Sequence, residues 1–211
     1  GRRQGIGRGT HMYDLKISNG TIIDGTGAPA IQGDLGIKDG KVVAMGEAPD
    51  AATREIDAQG QVVCPGFVDI HTHYDAQVLW DRNLTVSPWH GVTTAVIGNC
   101  GFGVAPTKAA DRELIMRTLE KVEGMSVDAL KAGLGEEWPF ETFPEYLDTI
   151  DAVGPSINVG VLMGHTPLRL YVMGEAAMER AATPEELARM CELLEQGIKA
   201  GALGFATSKA S

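Results

Sequence analysis

Four stretches, Val63–Ile70, Val92–Gly98, Ile157–Met163 and Ala202–Thr207, read as continuous apolar runs rather than as alternating strands. A strand of that kind must be covered on both faces, and the spacing between the later runs is helical. Apolar strands alternating with helices call for a parallel sheet with helices packed on it. The clearest helix spans Pro184–Ala200, where Leu187, Met190, Cys191, Leu194 and Ile198 recur on one face. Thr183 suits its N-cap, Pro184 its first turn, Glu186 completes a capping box, and Gly201 is a stop. Shorter helices fit Ala109–Glu123 and Pro144–Ala152, the latter with Leu147 and Ile150 facing inward, and Gly124–Glu141 reads as an irregular insertion.

Four strand–helix units are half of what a (β/α)8 barrel needs, and an open half would leave two apolar edges. The expected fold class is therefore α/β, with 64–211 as the amino-terminal half of a TIM-type (β/α)8 barrel. Its carboxy-terminal half is expected in a separate, cleaved or missing segment.

Before Val63 the pattern differs. Short alternating runs are separated by Asn19-Gly20, Asp24-Gly25 and Asp39-Gly40, with Leu35, Ile37, Val42, Val43 and Met45 around the last. Asp-Gly between such runs signals a hairpin, because both turn positions take positive φ. Residues 12–63 are expected to form a small antiparallel β domain, part of a composite β-sandwich. Gly1–His11 has no apolar periodicity and reads as an expression tag or linker ahead of Met12.

Composition excludes several classes of function. With 44% hydrophobic and 22% charged side chains the chain is globular rather than disordered. Without Arg2, Arg3 and Arg8, Lys+Arg falls from 18 to 15 against 28 acids, a net charge of −13. Nucleic acid is a poor partner for that surface. No apolar run reaches membrane-span length and no signal-peptide pattern opens the chain, so neither a membrane partner nor secretion is expected. Three cysteines without short spacing fit a reducing compartment, and the expected location is cytoplasmic.

The chemistry gathers where apolar runs end. His71-Thr72-His73 follows Gly66-Phe67-Val68-Asp69-Ile70 directly. Residues i and i+2 of a strand share a side, so both imidazoles can converge on one metal ion at the barrel mouth. Two surface histidines in a loop are the plain alternative, and the strand running into them argues against it. Asp69, inside the run, reads as a hydrogen-bonded orienter, and for Asp75 two readings stay open, holding a histidine or capping the next segment.

Cys100, in Gly98-Asn99-Cys100-Gly101-Phe102-Gly103, ends the second run and faces the same mouth as a candidate thiolate ligand. Cys64 and Cys191 read instead as core. His165 ends the third run and is placed to donate to an acyl oxygen, or else anchors a loop. Arg169 is a candidate carboxylate clamp, or a solvated charge. His90 precedes its strand, at the wrong end for catalysis, and reads as structural.

Taken together, the β domain, Pro65–His73, and Gly91-Val92-Thr93-Thr94 resemble the amidohydrolase superfamily, whose opening phrase hydantoinases, dihydroorotases and deacylases share. Tyr74-Asp75, Gly98–Gly103, Gly164-His165 and Gly201-Ala202-Leu203-Gly204-Phe205 narrow the resemblance to the N-acyl-D-amino-acid deacylase (D-aminoacylase) branch, over Met12–Ser211. The resemblance implies one or two zinc ions, with Cys100 as a ligand and His71 and His73 serving a second, often weaker site. It implies hydrolysis of a small-molecule N-acyl amino acid. It also implies two further histidines and a catalytic aspartate that these residues do not contain, so the 211 residues alone are expected to show no turnover in a deacylase assay. Thr207-Ser208-Lys209 departs from the family's usual Ser/Thr-Gly continuation.

Two rivals are carried forward. A cyclic-amide hydrolase of hydantoinase or dihydropyrimidinase type would bridge two metals with carboxylated Lys209 instead of Cys100. A non-catalytic scaffold would keep the fold and bind no metal, which elemental analysis decides. Assembly as a homo-oligomer stays open.

Overall fold

The computed structural model describes residues 12–135 and 137–208, so the expected tag at Gly1–His11 and the candidate bridge Lys209 lie outside the described residues. The chain divides into two compact units that meet at Pro65 and Gly66.

The first unit is one five-stranded sheet built from β1 (Tyr13–Ile22), β2 (Ile31–Lys38), β3 (Lys41–Gly46), β4 (Ala52–Asp57) and β5 (Val62–Val63). The order is β3-β2-β1-β4, with β5 also on β1. β1–β2 and β2–β3 are antiparallel, whereas β4 and β5 both run parallel to β1. The sheet is therefore mixed where an antiparallel one was expected, because the connections to β4 and β5 return to the same side of the central strand.

Asp39-Gly40 does close the β2–β3 hairpin, with φ of 50° and 69°. Asn19-Gly20 does not make a turn: it lies inside β1, where the register to β2 shifts between Ile17 and Gly20. Asn19 holds a φ of 56° there because its main-chain N–H donates to Asp34 Oδ1 at 3.0 Å and its amide to Asp57 Oδ1 at 3.0 Å. Asp24 Oδ1 accepts from the main-chain N–H and the hydroxyl of Thr26, bending the chain between β1 and β2.

The second unit holds four parallel strands in the order β6 (Phe67–Asp69), β7 (Val92–Ile97), β8 (Asn158–Gly164) and β9 (Gly204–Ala206). Five helices accompany them: α1 (Arg112–Glu123), α2 (Val127–Leu134), α3 (Phe143–Val153), α4 (His165–Met173) and α5 (Pro184–Ala200). Ile97, Val161 and Met163 bury one sheet face against helix residues such as Tyr146 and Leu193. The outer strands depart from the expected two-sided burial, since Phe67 is 63% and Phe205 42% exposed.

Local signals and packing diverge in two helices. α5 starts as expected, with the Thr183–Glu186 capping box and Pro184 in the first turn. Its buried face, however, is Met190, Leu193 and Gly197, leaving Leu187, Cys191 and Ile198 exposed. A Cβ on Gly197 would lie 2.3 Å from Met163 Cε, so the helix turns its one bare position toward the sheet and rolls the expected stripe aside. Cys191 is therefore exposed rather than core, and so is Cys64, which sits between β5 and β6 instead of inside a strand.

The expected irregular insertion contains α2, capped by Ser126 accepting from the Ala129 N–H, with Leu130 fully buried. Gly133 lowers its intrinsic propensity, but a Cβ there would lie 2.7 Å from the Trp80 ring, so packing explains the glycine. α4, immediately after β8, was not anticipated.

Candidate metal centre

Because β6 to β9 are parallel, the segments that follow them lie along one rim. β6 leads to His71 and His73, β7 to Cys100, β8 to His165, and β9 to Thr207 and Ser208. One ligand atom from each of His71, His73 and Cys100 lies within 4.8 Å of the others. His71 Nε2 is 3.1 Å from Cys100 Sγ, and the two imidazole rings meet edge-on at 5.4 Å. Among the described residues this is the group of His, Cys, Asp and Glu side chains that converges closely enough to hold an ion.

Protonation favours the same reading. Burial, reinforced by the neighbouring His71, pushes the His73 pKa below its ordinary value, so its ring stays neutral. His73 Nδ1 is buried without a hydrogen-bond partner. A neutral, unpartnered imidazole nitrogen beside a thiol is a donor set suited to a borderline-soft divalent ion. The histidines also border an open cleft of about 380 Å³ shared with Tyr74, Gln77, Val122 and Met125.

Local backbone sets these positions. Asp69 Oδ1 accepts from the His71 N–H at 3.2 Å, the orienting role expected of it. Cys100 sits at φ 58°, ψ 10°, between Gly98 and Gly101 at φ 82° and 81°, in a tight turn that swings the thiol back toward β6. Ser208 Oγ donates to the Cys100 carbonyl at 2.7 Å.

The other candidates divide. Asp75 lies outside the group of three and is fully buried. Burial raises its pKa to about 7, opposed by the nearby main-chain amides of Asp75 itself and of Gly98, and its Oδ2 has no partner. The hydroxyl of fully buried Tyr146 donates to the Asp75 carbonyl at 2.7 Å and so anchors the segment after the histidines.

His165 stands on the same rim as the first residue of α4, its Nδ1 3.1 Å from Thr207 Oγ1 and its ring edge-on to Phe205 at 5.7 Å. Burial and the nearby Arg169 push its pKa down. The Arg169 Nε–H donates to the Ala177 carbonyl at 3.1 Å and a terminal N–H to the Arg180 carbonyl. These two bonds close the turn after α4. His90 is exposed at the end of a 3-10 turn before β7, outside the cluster. Sequence reasoning passed over Asn99, whose only sequence signal is its place between a strand end and Cys100.

Known proteins resemble this chain in sequence and fold. The sequence profile of the amidohydrolase family matches residues 54–211. A D-aminoacylase of Alcaligenes xylosoxydans xylosoxydans is 37% identical over 92% of this chain, and the chain spans only 37% of that relative's length. A crystal structure of N-acyl-D-glutamate deacylase from Bordetella bronchiseptica, complexed with zinc and a phosphonate inhibitor, is 38% identical. It superposes with a TM-score of 0.75 over 93% of this chain and 38% of its own. A D-aminoacylase structure described as having a binuclear metal centre is 36% identical, with a TM-score of 0.76 over 92% of this chain and 38% of its own. With its parallel strands, its rim of histidines and cysteine, and a profile match across three quarters of its length, the chain belongs to the amidohydrolase family.

Proposed function

We propose that this chain forms the amino-terminal half of a (β/α)8-barrel amidohydrolase that uses one or two zinc ions to deacylate N-acyl-D-amino acids. The convergence of His71, His73 and Cys100 within 4.8 Å carries the reading. Tetrahedral zinc with nitrogen and sulfur ligands sets donors about 3.3 to 3.6 Å apart, and the His71 Nε2–Cys100 Sγ separation of 3.1 Å lies near that range. Zinc held there supplies Lewis acidity, polarising an acyl carbonyl and acidifying water.

The chain's own residues do the holding and orienting. His71 and His73 offer imidazole nitrogens, and Cys100 loses its proton to become the charged donor. At His165, Nδ1 pairs with the Thr207 hydroxyl at 3.1 Å, and burial favours the neutral ring; in the tautomer that accepts from Thr207 at Nδ1, the Nε2–H is left to donate to an acyl oxygen. The catalytic aspartate and further histidines are taken to belong to a carboxy-terminal half outside these residues.

The substrate class is supported by relatives that act as N-acyl-D-aspartate and N-acyl-D-glutamate deacylases. Three free thiols support a reducing, cytoplasmic setting, and no helix among the described residues is long and apolar enough to cross a membrane. The test is turnover by the protein with its barrel complete. Hydrolysis of N-acetyl-D-amino acids, abolished by a zinc chelator and restored by zinc, is the expected result. Preference for hydantoins, or full activity in metal-free protein, would overturn the proposal.

A further inference from the structure

We infer that Asn99 is a positioning residue whose side-chain amide, together with the Thr72 hydroxyl, sets the distance between the two imidazoles and the thiol. This rests on the metal-site reading above. The paired ladder between β6 and β7 covers three residue pairs and ends at Asp69–Ala95, two residues short of His71. The histidines therefore lie beyond the last paired residue of β6.

A compact set of hydrogen bonds takes over where the ladder stops. The Thr72 main-chain N–H and hydroxyl both donate to the Val96 carbonyl, at 3.1 and 2.8 Å. Asn99 Nδ2 donates to the same carbonyl at 2.8 Å and to the Thr72 carbonyl at 3.2 Å. A primary amide has two hydrogens, so both are used, one on each strand-end segment. Thr72 separates the two histidines and Asn99 precedes Cys100, so one side chain bridges the backbone of one set of candidate ligands to that of the other.

The directions are consistent. Thr72 and Asn99 are buried while His71 is exposed and His73 and Cys100 are half-buried. Fixing Thr72 inward turns both flanking imidazoles to the other side, as alternation along an extended segment requires. Buried bonds of this kind lose little to solvent and act together.

The experiment is a cobalt(II) titration of wild type and of Asn99→Ala, Thr72→Val and Thr72→Ser, with cobalt standing in for zinc. It follows the thiolate-to-cobalt charge-transfer band and competition with a chromophoric chelator, with near-ultraviolet circular dichroism to confirm folding. Wild type is expected to show the band. Asn99→Ala and Thr72→Val should bind about 10 to 100-fold more weakly, the range for groups that orient a ligand, with a weaker band at saturation. Thr72→Ser, which keeps the hydroxyl, should restore wild-type behaviour. If Asn99→Ala fails to fold, the Thr72 pair decides. Folded Asn99→Ala or Thr72→Val with unchanged affinity and band overturns the inference alone, as does failure of Thr72→Ser to rescue. Wild type that binds cobalt with no thiolate band overturns the metal-site reading as well.

Discussion

Serine at position 100 is expected to lower zinc affinity by at least about 100-fold, since removing a direct ligand should exceed the loss seen when an orienting neighbour is removed. The change replaces one atom in a half-buried side chain, so packing alters little. What changes is the donor. A thiol gives up its proton to a metal near neutral pH, whereas a hydroxyl holds it, and zinc favours sulfur over neutral oxygen. His71 Nε2, 3.1 Å from the sulfur, would face a neutral hydroxyl in place of an anion. Chelator competition and elemental analysis of Cys100→Ser measure the effect, with a melting temperature close to wild type as the control. Full zinc content and activity in a complete enzyme carrying this change would favour a bridge made by Lys209.

Gly98→Ala is expected to be among the most damaging small changes, costing about 3 kcal/mol or more. Gly98 has a φ of 82°, and the left-handed region costs an L-residue roughly 1–2 kcal/mol. The added Cβ would also fall 1.9 Å from the Leu162 carbonyl oxygen and 2.8 Å from its carbon, in the backbone of the adjacent strand. No rotamer relieves a backbone clash. β7 and β8 would have to part next to their Ile97–Val161 pair, and such overpacking adds about 1–3 kcal/mol. For a chain of this size that is a fall in melting temperature of roughly 6–12 °C. Because Gly98 leads directly into Asn99 and Cys100, metal binding should fall with stability, whereas Cys100→Ser should separate the two. An unchanged melting temperature for Gly98→Ala would show that the strands can part there at no cost.

What could be read from the sequence follows from how local each determinant is. The strand ends bearing His71, His73 and Cys100 were legible because a histidine pair or a cysteine after an apolar run combines position with chemistry. The start of α5 was legible for the same reason: Thr183, Pro184 and Glu186 act within one turn. Its buried face was not, because Gly197 against Met163 is a contact between elements distant in sequence.

Two turn dipeptides make the same point. Asp39-Gly40 needs only its own backbone to reverse the chain, while Asn19-Gly20 is held in a bulge by Asp34 and Asp57 from other strands. Asn99 escaped notice because an amide's role depends on which carbonyls face it, and those of Thr72 and Val96 are brought there by the fold. The carbonyl partners of Arg169 were likewise not legible, since they are set by where the turn after α4 places them.

Cys64 and Cys191 are exposed residues while Cys100 is only partly so. Any alkylating reagent will meet those two first, and air can join molecules through them without touching the rim. A covalent dimer seen on a non-reducing gel would therefore say nothing about native assembly.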